Sequence, residues 1–229
     1  QIQANLCAFA ALLRDGTVVT WGNAVRGGDS SMVQAQLAEV EQIQASDWAF
    51  AAVRRDGSVV TWGHKDAGGD SSSIQHELRD VAQVQSSKFA FAAIRRDGSV
   101  VTWGRASHGG DSSDVKGRLK GVGQIQASHG AFAAILSSGS VETWGSSLHG
   151  GDSASVRPRL RNVQRIQANA AAFAALLFDG SVVTWGDSRH GGNSSSAQEQ
   201  LRNVRHIQAT SAAFAAVLGD GSLVSWGQV

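Results

Sequence analysis

The stretch "RRDGSVVTWG" at residues 54–63 returns unchanged at 95–104, with near copies at 14–22, 179–186 and 220–227. Its chemistry is that of a turn feeding a strand. Asp56-Gly57 is a hairpin signal, because Gly57 adopts φ > 0 without steric cost. "SVVTW" is β-branched and aromatic, which suits a pleated, half-buried surface, and Gly63 ends it. Trp21, Trp62, Trp103, Trp144, Trp185 and Trp226 stand at a constant spacing of 41 residues, and only Trp48 lies outside the series. A fixed period of this size marks a repeat architecture.

Working outward, the unit from residue 42 reads "QIQASDWAFAAVRRDGSVVTWGHKDAGGDSSSIQHELRDVA". "QIQAS" alternates polar and apolar residues, as a strand does. "AFAAV" at 49–53 is a short apolar run, expected of a strand covered on both faces. In "GGDSSSIQHELRDV", Asp70, Ser71 or Ser72 can cap a helix, and Ile74, Leu78 and Val81 share one helical face. An irregular outer strand is the alternative. Pro158 and Gly117 fall inside the equivalent segments, which limits any helix to two turns.

Units of 1–41, 42–82, 83–123, 124–164 and 165–205 are followed by a partial unit, 206–229, without insertion or deletion. Three short strands cannot bury their own faces, so each unit must pack on its neighbours in an open stack or a closed ring. About 40 residues per meander fits a propeller blade. The expected fold is all-β: one β-propeller domain over 1–229 of six 41-residue units, each three short antiparallel strands plus a capped turn or short helix. Ala51, Ala52 and their equivalents are expected on an inner strand where blades converge. Trp62 and its equivalents are expected to fill the wedge between blades.

The pattern "AFAAIRRDGSVVTWG" followed by a Gly-rich step resembles the repeat of the RCC1 family of β-propellers. It is most similar to the short-repeat branch that includes the type II β-lactamase inhibitor protein. The resemblance covers every unit and implies a propeller. Members of the family act as enzyme inhibitors, exchange factors on small GTPases and ligase-associated domains, and the resemblance chooses none of these. No residues here match a motif of the exchange activity.

Composition narrows function by exclusion. Twenty basic residues stand against 19 acidic ones, so the chain has no electrostatic footprint for nucleic acid and no basic stripe for a membrane surface. Apolar runs such as "AAAFAALLF" at 170–178 are too short to insert into a bilayer. Cys7 is the only cysteine, so no internal disulfide is possible. Gln1 is not a natural translation start, which leaves room for a removed leader.

Few residues carry chemistry. The "GGDSS" loops offer N–H groups or a carboxylate to an ion, but they read more simply as a glycine turn and a cap; Asn193 replaces the Asp in unit five. His108, His149 and His190 are equivalent to one another, and an outer loop of a ring separates them beyond the reach of one metal. No nucleophile elbow occurs. No catalytic, cofactor or metal residue is assigned, no cofactor is expected, and the protein is read as a non-enzyme.

Variation is concentrated at two steps. One is the three-residue step between the first two strands: "NLC", "SDW", "SKF", "SHG", "NAA", "TSA". The other is the four-residue step after Trp-Gly: "NAVR", "HKDA", "RASH", "SSLH", "DSRH". In a meander both emerge on one side, and the uniform Asp-Gly hairpin emerges on the other. Varied loops on a rigid scaffold are where binding resides, and aromatics are enriched in hot spots. The expected contact surface is centred on Trp48, Lys88, Phe89 and His129, with Arg26, Lys65, Arg105 and Arg189 at its rim. The reading is a non-catalytic binding or scaffold module for a protein partner, without nucleic acid or membrane insertion, which leaves membership of a larger assembly open. Alternatives are a multivalent lectin-like sugar binder and a structural or adhesive segment of a larger repetitive protein.

Overall fold

The computed structural model describes residues 1–228. The chain forms two compact units, one from Gln1 to Ser113 and one from Asp114 onward, each holding three three-stranded antiparallel sheets. In the first unit, sheet one is β1 (Ile2–Ala4), β2 (Ala8–Leu12) and β3 (Val18–Gly22). Sheet two is β4 (Val40–Ala45), β5 (Ala49–Arg54) and β6 (Val59–Gly63). Sheet three is β7 (Val81–Ser86), β8 (Ala90–Arg95) and β9 (Val100–Gly104). Each sheet runs in sequence order, with the apolar "AFAA" strand in the middle.

The quoted stretch folds as its chemistry dictates. Gly57 sits at φ 80°, its N–H donates to Arg54 O at 2.8 Å, and Arg54 N–H donates to Ser58 O at 2.9 Å. Asp56 Oδ1 accepts from Ser58 N–H and Oγ–H at 2.9 and 2.6 Å. The register then pairs Phe50 with Trp62, and their rings stack at 5.3 Å with a 20° tilt.

That stacked pair is the unit of the core. Phe50, Ala52, Val60 and Trp62 of sheet two pack on Ala8, Ala10 and Val18 of sheet one, with Leu37 and Val40 from the intervening linker. The same arrangement joins sheets two and three. The small alanines occupy the middle strand rather than an edge, where they let a neighbouring Phe-Trp pair lie flat. Trp62 Nε1 donates to Gly27 O at 3.0 Å. Gly27 lies at φ 95°, and a Cβ there would come within 2.6 Å of the Phe50 ring, so the first glycine of the pair is fixed by packing and by backbone conformation together.

In the second unit, sheet four is β10 (Val122–Ala127), β11 (Ala131–Leu136) and β12 (Val141–Gly145). Sheet five is β13 (Val163–Ala168), β14 (Ala172–Leu177) and β15 (Val182–Gly186). Sheet six is β16 (Val204–Ala209), β17 (Ala213–Leu218) and β18 (Leu223–Gly227). The joints repeat, and Trp185 and Trp226 donate to Gly150 O and Gly191 O at 3.0 Å. Sheet four carries one departure. Glu142 stands where the other sheets have valine, is buried, and pairs with Arg118 at 3.0 Å and with Arg157.

The linker takes the form of capped turns rather than an outer strand: among the described residues it forms no α-helix and makes single 3₁₀ turns, such as Lys65–Ala67 and Ser72–Ile74. Tertiary contacts override the helical spacing. Gln75 Nε2 donates to Val59 O at 2.8 Å, Ser71 Oγ bonds Thr61 Oγ1 at 2.9 Å, Leu78 is drawn into the joint, and Val81 opens the next strand. Asp70 instead closes a tight turn, accepting from Ser72 N–H at 2.9 Å. One expectation is corrected, that every indole of the series fills a wedge between blades. Five are buried, but Trp21 is 43 % exposed against 4 % for Trp62; within the first unit no neighbouring sheet packs on the Phe9-Trp21 face.

Candidate binding site

The two varied steps lie together on each sheet, as the meander requires. Ser46 Oγ donates to Ala67 O at 3.0 Å, and His64 N–H donates to Trp48 O at 2.9 Å, tying the step before β5 to the step after β6. Asn5 Nδ2 and Asn169 Nδ2 make the equivalent bonds to Arg26 O and His190 O, both at 2.7 Å. The Asp-Gly hairpin bonds elsewhere: Val81 N–H donates to Gly57 O and Arg55 N–H to Glu39 O, at 2.9 and 2.8 Å.

In the first unit the varied steps build a continuous cluster. Asp47 N–H donates to Lys88 O at 2.9 Å, which sets neighbouring steps side by side. Trp48 and Phe89 then meet at 4.7 Å with a 55° tilt. The guanidinium of Arg26 lies 4.9 Å from the centre of the Trp48 ring, and that of Arg105 lies 4.4 Å from the centre of Phe89. His64 abuts Trp48 at 5.4 Å, and His108 abuts Phe89 at 5.0 Å. Arg26 also donates to Cys7 Sγ at 2.8 Å. Such cation–π contacts contribute about 0.5–1 kcal/mol each when exposed. They also hold two long side chains in place.

Two polar details mark the centre. Trp48 Nε1 is buried and has no hydrogen-bond partner among the described residues. An unsatisfied buried donor costs about 1–3 kcal/mol. Beside it, burial pushes the Asp47 carboxyl above its usual range, against the pull of Lys88. Lys65 is exposed on the turn that follows His64.

Thus Arg26, Trp48, Lys88, Phe89 and Arg105 are brought together, with Lys65 on the adjoining turn. His129 and Arg189 belong to the second unit, where the same steps carry a different surface. His129 N–H donates to Ala170 O at 3.0 Å. The positions equivalent to Trp48 are Gly130, Ala171 and Ala212. A Cβ on Gly130 would lie 2.9 Å from His149 Nδ1, so the histidine fills the place of a side chain there. Arg189 is paired with Asp187 at 3.1 Å, and the bonds it donates hold that carboxyl below its usual range. His190 Nδ1 lies 3.3 Å from Asp187 Oδ2 without hydrogen-bond alignment. Asp47, His64, His108 and Cys7 were not assigned to the surface from sequence. Their signal was position: each occupies one of the two varied steps.

No protein-family model matches the chain, and no curated protein matches it. Among solved structures it is similar to Prp20p, the yeast RCC1 from Saccharomyces cerevisiae, with 16 % identity and a TM-score of 0.60, covering 99 % of this chain and 71 % of that one. It is also similar to the CRINKLY WD40 ectodomain of the Arabidopsis thaliana receptor kinase ACR4, with 18 % identity and a TM-score of 0.56, over 99 % and 80 % of the two chains. Human WBSCR16 gives 14 % and 0.55, over 99 % and 76 %. The 41-residue unit folds like a blade of these β-propellers, the yeast RCC1 among them. The six three-stranded sheets are the chain's blades, and the likeness concerns the fold. Among the described residues no helix is long and apolar enough to cross a membrane.

Proposed function

We propose that the chain is a non-catalytic binding module whose varied loops in the first unit contact a protein partner. The observation that carries this is the Trp48-Phe89 pair, flanked by Arg26 and Arg105, with the Trp48 indole N–H unsatisfied. Tryptophan and arginine are the residue types that dominate interface energetics. Arg26, Lys65, Lys88 and Arg105 stand against Asp47 and Asp66 on these steps, which favours an acidic segment. Prp20p has binding properties toward Gsp1p and histones, and yeast RCC1 has been crystallised with Kap60 bound; protein binding is therefore a use this fold supports.

The test is affinity capture with quantitative mass spectrometry. The intact chain is compared with a Trp48→Ala/Lys88→Ala/Phe89→Ala variant and with a His129→Ala/Arg189→Ala variant. Partners lost at least tenfold with the first variant and kept with the second support the reading. Equal capture by all three removes the proposed surface.

A further inference from the structure

Because the blades are near copies, a site that belongs to one of them shows where that blade departs from the rest. Sheet four departs at three places. Ser138 takes the hairpin position that is Asp15, Asp56, Asp97, Asp179 and Asp220 in the other sheets. Glu142 takes a valine position. Arg157 takes the position of Gln34, Gln75 and Gln198; sheet three has Lys116 there but keeps Asp97 and Val101. All three departures line one cleft of about 780 Å³ in the second unit, on the hairpin side of the sheet.

In sheets one, two and five the glutamine closes this place. Gln75 accepts from Ser71 Oγ at 3.1 Å and donates to Val59 O at 2.8 Å, and Gln34 and Gln198 make the same two bonds. Arg157 turns aside instead to Glu142, whose carboxylate also accepts from Arg118 Nε at 3.0 Å. The Glu142 side chain is only 9 % exposed, against 49 % for Arg157. A buried anion therefore grips one edge of a guanidinium that has five N–H donors, and the remaining donors stay free. Pro158 fixes φ within the turn Arg157–Arg159, so the group is held in place before a ligand arrives. Arg161, exposed on the same wall, makes no ion pair among the described residues.

The opposite wall is a hydroxyl pair. Ser138 Oγ and Ser140 Oγ lie 2.8 Å apart. One hydroxyl proton serves that bond and the other is left to donate. The carboxylate that would repel an anion at every other hairpin is missing at this one.

We propose that this cleft binds a phosphate monoester. Guanidiniums on one wall and a hydroxyl on the other suit three strongly accepting phosphate oxygens better than the two coplanar oxygens of a carboxylate. Ala154 and Pro158 add exposed apolar surface for the organic body of the ester, and the volume falls within the range of about 300–1,000 Å³ typical of small-molecule sites. The same group occurs on small molecules and on phosphorylated side chains, and the probes separate the two sources.

The experiment is isothermal titration of the full chain, in buffer free of phosphate and sulfate, with phenyl phosphate, benzoate and a phosphotyrosine pentapeptide. Phenyl phosphate is expected to bind with a Kd below about 1 mM, at least tenfold tighter than benzoate. A peptide that binds as tightly as phenyl phosphate, or more so, assigns the site to phosphorylated side chains; a weaker peptide assigns it to small molecules. Two variants return sheet four to the pattern of its neighbours. Ser138→Asp restores the hairpin carboxylate. Glu142→Val/Arg157→Gln restores the valine and the glutamine without changing net charge. Both patterns already fold in other sheets, and near-ultraviolet circular dichroism checks that native packing is kept. Each variant is expected to weaken phenyl phosphate binding at least tenfold. Three results overturn the proposal: no saturation by about 10 mM phenyl phosphate, benzoate bound as tightly as phenyl phosphate, or unchanged affinity in either folded variant.

Discussion

Sheets one and two are nearly the same object in different surroundings. Phe9 and Trp21 stack at 5.2 Å with a 12° tilt, and Phe50 and Trp62 stack at 5.3 Å and 20°. Yet the first pair is largely open and the second is buried. The stack is therefore a property of cross-strand register within one blade, and burial is a property of the neighbour. Local geometry and tertiary stabilisation, usually entangled, are separated here by position in the repeat.

The sharpest way to break that comparison is to remove each indole. Trp62→Ala deletes a buried ring and its bond to Gly27 O, and is expected to cost about 3–5 kcal/mol. Trp21→Ala removes only the local stack and is expected to cost about 0.5–1.5 kcal/mol. Urea unfolding of dilute protein measures both, and equal losses would show that the neighbouring sheet contributes nothing.

A second contrast isolates crowding from conformation. Gly57 and Gly221 hold equivalent hairpins at φ 80° and 86°. A Cβ on Gly57 would lie 2.9 Å from Asp80 Cα, and a Cβ on Gly221 meets nothing within 4 Å. Alanine at either site has the same left-handed penalty, about 1–2 kcal/mol. Gly57→Ala is expected to cost a further 1 kcal/mol or so from overpacking, and thermal melts of the two variants should differ in that order.

The smallest effect tests what should not differ. Hydrogen bonds from the Thr17 and Ser58 side chains, and then from their backbone N–H groups, hold the Asp15 and Asp56 carboxyls below the usual carboxylate range. A folded value below the unfolded one contributes stability above that unfolded value, and the contribution is lost as pH falls through the folded one. Because the bonds are internal to each hairpin, both carboxyls should titrate low by NMR. Thr17→Ala and Ser58→Ala should raise their own carboxyl alike. A rise at only one would tie the hairpin to its neighbour.

These contrasts also explain what was legible in the sequence. The strands, the Asp-Gly turn and the Phe-Trp pairing depend on residues within ten or so positions, and all could be read from the repeat. The linker could not, because its form depends on contacts made to other strands. Gln34 reaches Val18 O across 16 residues, and Gln75 reaches Val59 O in the same way. Glu39, Asp80, Asn162 and Asn203 adopt φ of 54–55°, with Gly121 at the matching place. Asp, Asn and Gly tolerate the left-handed region, so this column is a sequence signal that no helix runs into the next strand. At the candidate surface, the varied steps identified where residues would gather. That Arg26 would lie over Trp48 from the preceding blade, or that Arg189 would be engaged by Asp187, depended on neighbouring steps meeting in space.

Near-identical blades carry a hazard: a folding chain could seat a blade one place out of turn and find almost the same contacts. Glu142 works against that error. Its carboxylate is matched by arginines from the linkers on either side of its sheet, Arg118 before and Arg157 after. One place out it would meet one cation in place of two, Lys116 at the equivalent of Arg157 or Arg159 at the equivalent of Arg118, with Glu77 or Gln198 at the other position. One acidic residue in an otherwise interchangeable series thus gives the array an address, so that the order of the blades is written in charge as well as in chain connectivity.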